Sequence, residues 1–436
     1  MTSDPYAPQS GDSSFSVLHY DLKLKYRVAT NRLDGEAVIS AVARQPLTSF
    51  SLDLVGLRAS GVTVDADKRT SFRQGPRKLT VKLAAPLQTG TTFQVLVRYS
   101  GSPFPRQTRW GLIGWEELAD GILVASQPTG APTWFPCNDR PSDKARYRIE
   151  VNLEDGYTVL ATGRLISRTR SAGRITWVFA QQIPTASYLV ALHAGRYRSR
   201  PLDLATVAGT VAYPAALAAR VQADLATLPT MMALFERCFG PYPMGRYDLV
   251  VTADDLEIPL EAQGMAVFGA NHLDGNGSSE RLVAHELAHQ WFGNSVGLAT
   301  WQDIWLNEGF CCYAEWLWSE EAGRLTCQRL AKQHRAILAR LPQDLLLANP
   351  GPDQMFDDRV YKRGALTLHA LRRVVGDEQF FAILRGWTAA RRHATGTTED
   401  FVSLAEEVAG RELGSLFTAW LRRTELPKLP SKSTRG

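Results

Sequence analysis

Cysteine is scarce in this sequence and follows no pairing pattern. Cys137, Cys238, Cys311, Cys312 and Cys327 are the five cysteines among 436 residues, an odd number with no C-x-x-C arrangement. This argues against a disulfide framework and fits a reducing, cytoplasmic location. Long apolar runs are missing too. No stretch has membrane-spanning length, and Met1–Ser14 is rich in Ser, Pro, Asp and Gly instead of carrying a basic start and an apolar run, so no membrane partner and no signal segment are expected. Nor is there a large excess of one charge. The net charge is +5, and the densest basic clusters of the second half are the doublets Arg372-Arg373, Arg391-Arg392 and Arg422-Arg423. These read as solvated helix faces, which excludes nucleic acid from the expected partners.

What is present divides the chain in two. Tyr20 to Tyr26 and Leu79 to Leu83 alternate apolar and polar residues, the period-two pattern of half-buried antiparallel strands. Turn signals such as Asp34-Gly35, Thr89-Gly90 and Asp155-Gly156 follow closely. Residues 1–200 are therefore expected to form an all-β domain. After residue 200 the texture changes: Ala215 to Cys238 carries helical spacing as one element, Tyr247 to Val251 reads as a strand, and successive helices follow from Ser279. Residues 201–436 are expected to form a mainly helical catalytic domain, so the fold class is α+β and multidomain. The polar tail from Pro427 to Gly436 is expected to fray.

The chemistry concentrates in Val283-Ala284-His285-Glu286-Leu287-Ala288-His289. On a helix, His285 and His289 lie one turn apart on one face and can share a tetrahedral zinc ion. Glu286 then sits beside the metal without ligating it, where a general base takes a proton from water. A histidine pair at this spacing can equally be two plain helix residues, and a third ligand decides between the readings. Glu308, in Trp305-Leu306-Asn307-Glu308-Gly309-Phe310, supplies it from the next helix. One Zn²⁺ per chain is expected. The remaining histidines, His19, His193, His272, His334, His369 and His393, are isolated and read as structural. Asp303, Asn307 and Glu315 are all candidates to orient the imidazoles, with nothing in the sequence to choose among them.

These residues carry a resemblance. His285-Glu286-Leu287-Ala288-His289, 18 residues, then Glu308 within its Trp-Leu-Asn-Glu-Gly-Phe setting resembles the M1 family of zinc aminopeptidases, the gluzincins. Tyr20-Asp21-Leu22, Phe135 to Pro141 with Lys144-Ala145, and Tyr188 to Ala191 resemble further family segments, so the likeness runs from about residue 18 to about 425. It implies a saddle-like all-β N-terminal domain before a thermolysin-like catalytic domain, and a short form without the family's C-terminal helical domain. An uncapped groove would be open for a second subunit to shield by self-association.

The resemblance also assigns substrate-binding residues. Leu260-Glu261-Ala262-Gln263-Gly264-Met265 fills the place of the exopeptidase motif G-x-M-E-N. Glu261 matches the glutamate that grips the substrate's free α-amine, and Gly264 matches as well. Ile258, Leu260 and Ala262 depart from the motif's Gly, Met and Asn, so backbone contacts to the peptide are expected to differ. Gln127 resembles the residue that the N-terminal domain adds to the amine pocket, and Met265 is a candidate for the side-chain pocket. Tyr361, in Val360-Tyr361-Lys362-Arg363-Gly364-Ala365, matches the tyrosine that stabilises the oxyanion. The implied activity is removal of N-terminal residues from peptides with a free N-terminus. Two other readings compete: an endopeptidase or other hydrolase on the same zinc site, which would accept blocked N-termini, and a binding protein on a retired peptidase fold.

Overall fold

The structure is a computed structural model and describes residues 3–431. The chain forms two compact units. The first comprises the run up to Pro201 together with residues 210–217 and 248–270; the second comprises residues 202–209, 218–247 and the chain from Asn271 onward.

The first unit is built from the alternating segments. Its seven-stranded sheet runs in the order Arg164–Ser171, Arg174–Ala186, Lys144–Glu154, Phe15–Arg27, Arg32–Ala43, Thr92–Gly101, Arg58–Val64. Phe15–Arg27 alternates buried and more exposed positions along most of its length, so one face of the strand enters the core. It pairs in parallel with Lys144–Glu154, placing Tyr20 opposite Tyr147, and the two rings stack at 4.9 Å. The Tyr20 hydroxyl accepts from the backbone N–H of Asn138 at 3.0 Å. The Phe135–Pro141 segment is thereby fastened to the first strand. Residue 200 is not the only point where the chain passes between units. Asp248–Val251 pairs with Met265–Phe268, which pairs with Leu260–Ala262. The Gln263 N–H donates to Leu189 O at 3.0 Å and the Ala119 N–H to Asp254 at 3.0 Å. These bonds attach residues 248–270 to the β unit.

The second unit holds nine α-helices among the described residues: α1 Ala218–Asp224, α2 Leu228–Phe239, α3 Glu280–Ala288, α4 Trp305–Glu321, α5 Cys327–Leu338, α6 Asp358–Val375, α7 Asp377–Ala390, α8 Thr398–Ala409 and α9 Gly414–Leu421. The single helix expected over Ala215–Cys238 is broken between α1 and α2. Pro229 falls in the first turn of α2; proline is accommodated there but would break a continuous helix. Helix α4 is buried on every face from Trp305 to Trp318, which makes it the central element of this unit. A run of rings holds its neighbours against it: Phe239 of α2 meets Phe292 at 4.9 Å, Phe292 meets Phe310 of α4 at 4.7 Å, and Phe310 meets Phe401 of α8 at 5.1 Å. All five cysteines are free and buried, as the spacing predicts. Of the tail expected to fray, residues 432–436 lie outside the described residues. Upstream of them, the carbonyls of Pro427 and Pro430 accept bonds from the Arg335 and Arg373 side chains, so this part is fastened.

Helices α4 and α6 touch through glycine. A Cβ added to Gly309 would lie 2.7 Å from Gly364 Cα and 3.0 Å from Gly364 C, backbone that cannot swing aside. Gly309→Ala is expected to destabilise the protein by about 1–3 kcal/mol through overpacking, read as a lower chemical denaturation midpoint. An unchanged midpoint would refute the contact.

Candidate metal centre and amine pocket

His285 lies in the last turn of α3 and His289 is its C-cap residue, in helical conformation, with its N–H donating to His285 O at 3.2 Å. The two rings therefore lie one turn apart, edge to face at 74°, with centroids 4.9 Å apart. Glu308 stands in the first turn of α4. Its Oε2 lies 3.4 Å from His285 Nε2 and 3.5 Å from His289 Nε2. All three side chains are buried, and their donor atoms lie within 4.8 Å of one another. The expected ligand set is thus brought together.

Both imidazoles are aimed by their other nitrogen. His285 Nδ1 lies 2.7 Å from Glu315 Oε1, and His289 Nδ1 lies 3.1 Å from Phe292 O. Of the three candidates for this task, Glu315 is the one that meets a ring. Asp303 instead accepts from Thr398, at 3.1 Å from its N–H and 2.6 Å from its hydroxyl, tying the start of α4 to α8. Asn307 is buried beside Gly293. A signal for Glu315 existed in the sequence: it lies seven residues after Glu308, two helical turns along the same face. Arg281 completes the chain, with an ion pair to Glu315 Oε2 at 3.0 Å. Sequence reasoning missed it, although it stands one turn before His285.

The electrostatics match this geometry. Burial favours neutral forms, yet the hydrogen bonds that Glu308 and Glu315 accept from the ring outweigh it and raise His285 to about 9. Burial would raise Glu315, but the hydrogen bond and charge of His285, with the charges of Lys362 and Arg281, bring it to about 2. Burial opposes ionisation of Glu308 as well, and the charges and hydrogen bonds of His289 and His285 hold it well below the usual carboxylate range. Two carboxylates that favour a proton on His285 will favour a dication in its place. Two imidazoles and one carboxylate, dry and oriented from behind, fit zinc and leave its fourth position for a reactant.

Glu286 is buried on α3 between the two histidines. It is near enough to Tyr247 that, after burial, its charge is the largest influence pushing that phenol upward; Tyr247 was not singled out by the sequence. Tyr361 stands in the first turn of α6, its ring 6.1 Å from that of His285 and nearly parallel to it, at 24°. Among the other histidines, His369 lies 3.2 Å from the Tyr313 hydroxyl and His334 stacks on Trp316 at 5.3 Å.

The substrate-binding candidates belong to the first unit. Glu261 is in the strand Leu260–Ala262, opposite Ala266, and its Oε1 accepts a hydrogen bond from Gln127 Nε2 at 2.6 Å. These residues, 134 positions apart in the chain, are thus in direct contact. Gly264 makes the turn between two strands with φ of +73°, a conformation that favours glycine. Met265 is buried at the start of the next strand.

A β unit, a helical unit and a buried His₂–Glu set on successive helices are the features of a zinc metallopeptidase. The comparisons with known proteins agree. The model of the peptidase M1 N-terminal domain matches residues 16–189 and that of the peptidase family M1 domain matches residues 224–420. An M1 zinc metallopeptidase from Deinococcus radiodurans superposes with a TM-score of 0.90 at 31% identity, covering 99% of each chain. A structure from the same organism, a variant bound to a Tyr-Ser-Ala substrate, gives the same score and identity over 98% of each chain. Human endoplasmic reticulum aminopeptidase 1 is 29% identical over 407 residues, 83% of this chain and 42% of that protein. Leucyl aminopeptidase of Saccharolobus solfataricus is 25% identical over 444 residues, 94% of this chain and 54% of that protein. The chain spans about half the length of the curated relatives it matches. It belongs to the M1 family of zinc metallopeptidases. No helix among the described residues is long and apolar enough to cross a membrane.

Glu315→Gln is expected to weaken zinc binding about 10- to 100-fold by loosening His285, measured by competition with a chromogenic chelator. Glu308→Ala should abolish retention of zinc through desalting. Native affinity in both variants would sink this assignment of the centre.

Proposed function

We propose that the protein is a zinc aminopeptidase that removes N-terminal residues from peptides. Its ligands are His285, His289 and Glu308, holding one zinc per chain. When bound, the ion supplies Lewis acidity, polarising the scissile carbonyl and making water a stronger acid. The remaining work falls to the side chains. Glu286 takes the proton of the attacking water on its carboxylate and delivers it to the departing amine. Tyr361 donates a hydrogen bond from its hydroxyl to the carbonyl oxygen as negative charge grows there. The observation that carries hydrolysis is the convergence of three buried donor atoms within 4.8 Å, with Glu286 beside them on the same helix.

The exopeptidase character rests on Glu261. Its carboxylate receives the substrate's α-ammonium, and Gln127, bonded to it at 2.6 Å, keeps it oriented. A charge-assisted contact of this kind is stronger than a neutral one. A blocked N-terminus would leave the carboxylate without its partner, and the desolvation cost rejects it. Gly264 and Met265 shape the strand turn beside Glu261 and contribute to the side-chain pocket. Solved M1 relatives bound to Tyr-Ser-Ala, L-arginine and L-tryptophan support a ligand with a free amine.

The test pairs fluorogenic aminoacyl amides with free and acetylated α-amines. Only the free-amine set should be cleaved, and a chelator should stop the reaction. Glu261→Ala should lower kcat/KM on that set by about 100-fold while leaving zinc content unchanged. Equal cleavage of both sets would overturn the exopeptidase reading and leave zinc hydrolysis standing.

A further inference from the structure

Two residues beyond Tyr361, Arg363 is buried, 4% exposed, with no carboxylate partner among the described residues. A guanidinium has five N–H donors in a rigid fork. Here they meet five main-chain carbonyls. Nε donates to Trp420 O at 2.9 Å; one terminal nitrogen donates to Leu345 O at 3.3 Å and Thr424 O at 2.7 Å; the other donates to Glu425 O at 3.2 Å and to Arg423 O. Trp420 belongs to the last turn of α9, where carbonyls lack helical partners and the helix dipole is negative. The charge is thus balanced by dipoles of the strap Trp420–Glu425 and of Leu345. Burial pushes the guanidinium down to about 10, still charged at neutral pH.

Other contacts bear on the same turn: Arg359 donates to Pro342 O at 3.0 Å and to Asp344 at 2.6 Å, and Lys362 Nζ lies 3.4 Å from Cys312 Sγ of α4. Asp357 caps α6 by accepting the Arg359 N–H at 2.9 Å. The Gly309–Gly364 contact brings α4 and α6 together backbone to backbone. A glycine-to-glycine crossing sets the distance between helices but interlocks no side chain at that point. Tyr361 and Arg363 are two residues apart and point to different sides of the helix. Any rotation that slides the tyrosine along the His285 ring must also drag the guanidinium across its carbonyls.

We propose that Arg363 is a positioning residue for Tyr361: its bonds to the strap Trp420–Glu425 fix the rotation of the first turn of α6, and hence where the tyrosine hydroxyl meets the substrate carbonyl. The inference rests on the oxyanion role given to Tyr361 above. Lysine at this position would keep the charge and lose the fork. A displacement well below 1 Å would be enough to matter, because transition-state hydrogen bonds demand close alignment.

Arg363→Lys, Arg363→Gln, Tyr361→Phe and the double variant Arg363→Lys/Tyr361→Phe are compared with the native chain in kcat, KM, zinc content and circular dichroism. Tyr361→Phe should lower kcat about 100-fold. Arg363→Lys should lower kcat about 10-fold with KM within about twofold of native and full zinc. The double variant should match Tyr361→Phe alone, because the two residues act through one hydroxyl. Three outcomes would overturn the proposal: native kcat in Arg363→Lys, additive losses in the double variant, or loss of zinc and helical dichroism in both Arg363 variants. Native kcat in Tyr361→Phe would instead overturn the role of the tyrosine.

Discussion

Three donor atoms from two helices have to stay within 4.8 Å of one another in a buried place, and the rest of the helical unit is arranged around that demand. Imidazoles and carboxylates are costly to desolvate, and their mutual attraction repays the cost only when geometry is good and remaining polar atoms are satisfied. Each imidazole therefore brings a supporting contact. Glu315 stands behind His285, Arg281 behind Glu315, and the Phe292 carbonyl behind His289. Helix α4 carries both Glu308 and Glu315 on one face, so its placement decides the centre and its support together. The ring contacts of Phe292 and Phe310 and the bare approach of Gly309 to Gly364 are what hold that helix at the required depth.

Four glutamates take four different parts because their surroundings differ. Glu308 faces two imidazoles and is strongly favoured as an anion. Glu315 faces one imidazole from behind, with cations around it. Glu286 lies on the same helix as both histidines, without a place in the ligand triangle. Glu261 lies in the β unit and accepts a hydrogen bond from the Gln127 amide. One residue type thus stands in four different settings, and in each case the neighbouring groups make the difference. This is the sense in which environment, and not residue identity, sets the chemistry.

Much of this was legible in the sequence. Period-two alternation marked Tyr20 to Tyr26 and Leu79 to Leu83 as strand because a sheet face must be buried every second residue, and they fall within the strands Phe15–Arg27 and Lys78–Leu87. The His285–His289 spacing marked one helix face, and Glu308 followed in a recognisable setting. Other features were out of reach for stated reasons. Pro229 was visible, but whether it would sit inside a helix or begin one depends on how the flanking turns pack. The return of residues 248–270 to the β unit follows from strand pairing across distant segments, which leaves no local trace. The polar tail looked free, yet Arg335 and Arg373 claim its carbonyls, and nothing near Pro427 in sequence announces them.

By itself the sequence determined the kinds of element and the family and put forward His285, His289 and Glu308 as a candidate metal set, since periodicity and spacing within one helix are properties of local geometry. It left Asp303, Asn307 and Glu315 equivalent and gave Gln127 no more than a resemblance. Only the tertiary structure chose Glu315, joined Gln127 to Glu261, and gathered five carbonyls around Arg363. The reason is common to all three. A hydrogen bond between residues tens to more than a hundred positions apart depends on how separate elements pack, and packing is decided by the sum of many weak contacts that no short stretch of sequence contains.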